Sequence, residues 1–228
     1  EVRGYLAAIG IVKGQPFNPD DRMKSLLTEA ATLGNAAGRA ITYHPRISGV
    51  YIYPDTDSNW VMGFANKNTS FEADGSMGLD ARVLFYYNAG GVTPAMAVTH
   101  PGAGSDYAIG TLDSNDKPFD GSRTYKLHLP PDVPVNNFWA LTMYDTQTRT
   151  QLQTGQLFPT VGSQTKGMKK NADGSYDIYF GPTAPKGQEG NWLQTVPGKS
   201  WFTILRMYGP LEPWINKTWR PGDIELLK

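Results

Sequence analysis

Read at period two, the stretch from Trp201 to Tyr208 is apolar on both faces. Trp201, Thr203, Leu205 and Met207 form one face, and Phe202, Ile204, Arg206 and Tyr208 the other. A strand covered on both sides has this pattern. Arg206 is the exception, because arginine is rarely fully buried without a partner. From Ser105 onward the same reading predicts strands at 107–112, 123–129, 138–144 and 176–180, with turn signals at Asp120-Gly121, Pro130-Pro131-Asp132 and Asp173-Gly174. Tyr125, Leu127 and Leu129 alternate with Thr124, Lys126 and His128, so that strand has one wet face; 138–144 is apolar on both and is expected to be central.

The first hundred residues have a different rhythm. Asn18-Pro19-Asp20-Asp21 carries helix-start chemistry, with Asn18 as cap, Pro19 in the first helical position and acids at the positive end of the dipole. Met23, Leu26, Leu27, Ala30, Leu33, Ala37 and Ile41 follow at helical spacing, and Pro45 disfavours helix at His44, so the helix is predicted to end near Tyr43. The small residues Ala30, Gly34, Ala37 and Gly38 fit ordinary core packing. Short strands follow at 50–53 and 60–64, then a polar loop over 66–78. A helix over 80–87 stops at Gly90-Gly91, and Thr93-Pro94 opens one further helical turn. The predicted fold is mainly β: an antiparallel, jelly-roll-like β-sandwich over 105–228, preceded by a helical and short-strand segment over 1–104, α+β overall.

Composition narrows the function. Lys+Arg and Asp+Glu are both 21, so the net charge is zero and nothing favours nucleic acid as a partner. Cysteine is absent, which removes disulfides, thiolate metal sites and a cysteine nucleophile. No stretch is long and apolar enough to be a bilayer-spanning helix. The chain begins at Glu1 without a basic leader, and the apolar run from Tyr5 to Val12 would be poorly covered at a free terminus. This suggests a mature product or a fragment lacking a preceding part.

Candidate chemistry is sparse. His44, His100 and His128 are far apart in sequence, and metal sites want clustered ligands, so no metal site is assigned. Gly102-Ala103-Gly104-Ser105-Asp106 lacks the spacing of a nucleophile elbow and reads as a flexible turn. No HExxH, Walker A or Rossmann pattern occurs. Asn68-Thr69-Ser70 and Asn216-Lys217-Thr218 match the glycosylation pattern, which matters only in a eukaryotic secretory host. Arg206 is the best polar candidate. It is expected either to pair with a carboxylate such as Asp145 or Glu189, or to anchor an anion or carbonyl at a pocket rim. Tyr144 and Tyr208 end their strands and could join it, and Trp192, with Trp139 and Trp201, could form an aromatic wall, although the latter two suit the core better. Trp214 and Trp219, in the proline-rich tail, could cover a groove, cap the core or stack on sugars, but are expected to pack on another subunit or domain.

Several stretches resemble one family. Asn137 to Asp145, Asn171 to Ser175, Asn191 to Lys199, Leu205 to Pro210 and Thr218 to Pro221 look like the domain of unknown function 1214. Leu79-Asp80-Ala81-Arg82 and Thr93-Pro94-Ala95-Met96 resemble the segment joining it to its usual N-terminal partner, the domain of unknown function 1254. The resemblance implies a bacterial-type two-domain protein, often exported to the periplasm or beyond, with β-sandwich domains, of which this chain would be the C-terminal half. It implies no catalytic residue. The expected function is binding of a small hydrophobic or aromatic ligand at the domain junction, with Arg206, Tyr208, Tyr144 and Trp192 as ligand-binding residues. The expected partners are the missing N-terminal domain and further copies in a homo-oligomer. The alternatives are a metal- or haem-dependent oxygenase or a hydrolase acting on a small aromatic substrate, or a carbohydrate-binding module. The cofactor is left open.

Overall fold

The computed structural model describes residues 2–73 and 75–227; Asp74, inside the predicted 66–78 loop, lies outside the described residues. Helix α1 (Val2–Ala8) buries no residue. Helix α2 (Asp21–Tyr43) starts two residues later than the Asn18 cap implies. Asp20 is the cap, its carboxylate accepting from the Met23 amide at 2.7 Å, which leaves Pro19 outside the helix. The helix ends at Tyr43, as Pro45 requires. Only Gly38, Thr42 and Tyr43, near its C-terminal end, are buried.

Strand β1 (Trp60–Val61) is shorter than expected, and 50–53 contributes only a bridge from Tyr51 to Val61. The 66–78 loop holds a minimal hairpin, β2 (Glu72–Ala73) and β3 (Ser76–Met77). Helix α3 (Leu79–Asn88) and a 3-10 turn over Pro94–Ala97 stand where the sequence places them.

The remaining strands are β4 (Ser105–Gly110), β5 (Tyr125–Leu129), β6 (Val135–Asp145), β7 (Thr160–Gly162), β8 (Tyr176–Gly181), β9 (Trp192–Gln194), β10 (Trp201–Pro210) and β11 (Ile224–Leu226), with the short helix α4 (Glu212–Ile215) before the last. They form a five-stranded sheet, β1-β4-β10-β6-β7, and a four-stranded sheet, β11-β5-β8-β9. All pairings are antiparallel except β8 with β9. The fold is therefore mixed α+β with two antiparallel-rich sheets.

One core joins the sheets. Leu141, Met143 and Leu205 from the five-stranded sheet cluster with Leu127, Ile178 and Leu193 from the other. Trp201 lies in its middle, stacked on Phe119 at 4.1 Å and on Phe180 at 4.9 Å. Trp139 is also core. Trp214 and Trp219 are buried too, at 1% and 8% exposure, which corrects the expectation that they face a partner. Each indole N–H finds an acceptor within the fold: Asp106 for Trp214 at 3.0 Å, and the Pro131 carbonyl for Trp219 at 3.1 Å. The tail thus caps the chain's own core.

Candidate functional site

Alternation along β10 separates two environments. Leu205 and Met207 face the core, so Arg206 and Tyr208 face outward. The ladder sets Arg206 between Tyr107 of β4 and Ala140 of β6, and Tyr208 between Ser105 and Phe138. Helices α2 and α3 each cover part of this outer face. Tyr43 of α2 packs on Phe202 at 5.2 Å, and Leu84 of α3 clusters with Val50 and Val61 near Ile109. Between and beyond these covers, Arg206, Tyr208 and Phe138 remain half-buried.

Three phenols surround the guanidinium. Arg206 Nη2 donates to the Tyr144 hydroxyl at 2.6 Å. Its guanidinium carbon lies 5.8 Å from the Tyr107 ring centroid, a cation–π distance. Burial would lower its pKa, but hydrogen bonding to Tyr208 and the nearby Tyr144 and Tyr107 hydroxyls raise it further, so it stays charged. The Nε is buried and has no hydrogen-bond partner among the described residues. Tyr144 is held by stacking on Phe202 at 5.1 Å, and Tyr208 by stacking on Phe138 at 4.1 Å.

Neither expected carboxylate meets Arg206. Asp145 lies opposite Trp201, on the core-facing side of β6. Its carboxylate accepts from Lys199 and from the amides of Gln147 and Thr148. Glu189 is in a turn beside the other sheet, accepting from the Gly187 amide at 3.0 Å. Strand parity explains the Asp145 miss: positions 145 and 206 point to opposite faces.

The structure therefore brings Arg206, Tyr144 and Tyr208 together and adds Tyr107, whose signal was its ladder position opposite Arg206. Trp192 is not brought to them. Its neighbour Leu193 is core, so Trp192 lies on the outer face of the four-stranded sheet, its indole N–H bonded to the Gly181 carbonyl at 2.9 Å.

A cleft of about 260 Å³ adjoins the guanidinium. It opens where β4 runs past β1, which meets β4 only at Ile109 and Gly110. Phe64, Leu84 and Phe85 wall one side, Ile109 and Ile204 the other, and Arg206 lies at its border. Asp106, Lys67 and Lys217 also line it. A second, more open groove of about 650 Å³ runs past Arg39, Tyr43 and the Asp145–Lys199 pair.

The histidines stand apart. His44 caps α2 and is exposed, His100 sits in an exposed turn, and His128 faces outward from β5, bonded through Nδ1 to Asp177 at 2.8 Å. Among the described residues no group of three or more His, Asp or Glu is placed to hold a metal. No described helix is long and apolar enough to cross a membrane.

Residues 104–212, which include four of the five strands of the large sheet, match the family described as Protein of unknown function (DUF1214). No curated protein matches the chain. Among solved structures, a protein from Vibrio parahaemolyticus is similar in fold, with TM-score 0.51 and 19% identity over 99% of this chain and 51% of that one. An uncharacterized protein from Burkholderia cenocepacia also matches, at TM-score 0.40 and 14% identity over 98% of this chain and 47% of that one. The chain thus spans about half the length of the solved structures it matches.

Proposed function

We propose that this protein, whose strand-rich half carries the signature of domain family 1214, binds a small apolar or aromatic molecule bearing an anionic or carbonyl end. The ligand lies in the cleft between α3 and the outer face of the five-stranded sheet, with its polar end on Arg206. One observation carries the reading. Arg206 is a charged, half-buried guanidinium held by phenols rather than by a carboxylate, at the border of an apolar cleft. Such a group favours an incoming anion, and the planar fork matches a carboxylate.

The test is a fluorescence titration with 8-anilinonaphthalene-1-sulfonate against the neutral N-phenyl-1-naphthylamine. A hydrogen bond to a charged group contributes about 1.5–3 kcal/mol, so Arg206→Met should weaken binding of the anionic probe by about tenfold or more and leave the neutral one nearly unchanged. Equal loss for both probes, or no loss, overturns the assignment.

We also place this chain as the C-terminal half of an exported two-domain bacterial-type protein, its two sheets forming a sandwich. The shared core supports the sandwich. Val2, Tyr5, Leu6, Leu26 and Leu33, all exposed on α1 and α2, support packing against a preceding domain. Co-expression with that domain should protect these helices from protease; unchanged cleavage would count against the placement. The sugar-binding reading gains no such support, since Trp214 and Trp219 are buried.

A further inference from the structure

The same cleft holds two lysines at unusual backbone positions. Lys67 and Lys217 line it, and both have positive φ, 56° and 68°. This left-handed region is uncommon for residues other than glycine, and such strain collects at functional sites. At Lys217 the turn is braced by Asn216, whose side chain accepts from the Thr218 amide at 3.1 Å and the Thr218 hydroxyl at 2.8 Å. The Lys217 ammonium stands 5.1 Å from the Trp214 ring centroid and 5.7 Å from that of Tyr53. It makes no ion pair among the described residues. Asp106 is occupied instead by the Trp214 indole, the Thr99 hydroxyl and the Tyr107 amide. Lys67 lies within hydrogen-bond distance of the Thr99 hydroxyl, at 3.2 Å.

We infer that Lys217 is an amine nucleophile that forms a reversible imine with an apolar aldehyde or ketone bound in the cleft. The inference rests on the cleft reading above and names the reactive group of its ligand. The nitrogen lone pair attacks the carbonyl carbon. The carbonyl oxygen then leaves as water with the two protons of the neutral amine, and a C=N bond replaces C=O, with no change of oxidation state. Burial lowers the Lys217 pKa and the nearby Lys67 lowers it further, while Asp106 opposes them; the net is downward. A desolvated amine beside a second cation is a recognised route to a nucleophilic lysine.

The experiment treats the protein with 4-carboxybenzaldehyde and sodium cyanoborohydride and maps adducts by peptide mass. The expected result is a dominant adduct at Lys217, of one aldehyde less its oxygen. It should be lost in Lys217→Arg, which keeps the charge, and suppressed by the anionic naphthalene probe. Adducts on exposed lysines such as Lys24 and Lys186 with none enriched at Lys217 overturn the inference. The probe titration separates the two claims. Probe binding that depends on Arg206, without an adduct at Lys217, removes the imine and keeps the cleft. An adduct at Lys217 that the probe does not suppress keeps the nucleophile and removes the proposed ligand pose.

Discussion

Arg206 reaches Tyr144 along the sheet rather than across it. In the ladder Arg206 sits opposite Ala140, and Tyr144 opposite Phe202, four positions earlier in β10. That offset is about 13 Å of strand. The 2.6 Å contact therefore needs both long side chains lying over Ile204 and Thr142. A shorter or stiffer residue at either position could not close it.

The first prediction concerns this pair. Tyr144→Phe removes the acceptor and should cost about 1 kcal/mol of stability, read as a lower urea midpoint at unchanged slope. The double variant with Arg206→Met should be less destabilised than the sum of the two single changes, because the singles share one interaction. Strict additivity would show that the two residues act independently.

Asp145 should make stability fall in acid. Burial pushes its carboxyl up, but the hydrogen bond from Lys199 and those from the Gln147 and Thr148 amides outweigh it and hold the pKa below the usual range. A carboxyl depressed in the folded state contributes stability above its unfolded value and loses it as pH falls below about 4. Lys199→Met should shrink that loss and lower stability at neutral pH. An unchanged acid limb in the variant would show that the pair does not govern it.

Asp223 has the opposite sign. Burial raises its pKa, partly offset by hydrogen bonds from the Asn59 amide and the Ser58 hydroxyl. A raised carboxyl contributes stability below its unfolded value and loses it as pH rises through the folded one. Asp223→Asn keeps an oxygen acceptor for both donors. It should leave stability at pH 7 equal or higher, measured by thermal melting. A clear drop would mean that the ionised form is what the site prefers.

Trp201 tests the shared core. It is 1% exposed and stacked between Phe119 and Phe180. Trp201→Ala should cost about 4 kcal/mol, the range for deleting a buried large aromatic. A loss below about 1 kcal/mol would mean that the two sheets do not depend on that ring.

Legibility in the sequence followed pattern strength. The strands around Leu127, Leu141, Ile178 and Leu205 were readable because each apolar or alternating run lasts five residues or more. β7, β9 and β11 span only three residues each, too few for a period to register. Asn18 lost the cap to Asp20 because both can cap, and only folding decides which carboxylate or amide meets an open amide. Parity put Arg206 and Tyr208 on one face of their strand, and Tyr144 was legible from its place at a strand end, but which face is outward needed the second sheet, because both faces of 201–208 are apolar. Tyr107 needed the β4–β10 register, and Lys67 and Lys217 needed turn conformations and a cleft assembled from distant segments. Trp214 and Trp219 misled because a proline-rich tail looks exposed until it folds back over the core.

The central claim is that the Arg206 guanidinium receives the polar end of an apolar ligand. A crystal of this chain soaked in 4-iodobenzoate tests it most directly, since the iodine marks the ring. The account predicts the carboxylate on Arg206 and the iodophenyl ring in the cleft beside Phe85 and Ile204. A molecule found instead in the groove by Lys199, or an empty cleft with Arg206 still held by its tyrosines alone, would contradict it.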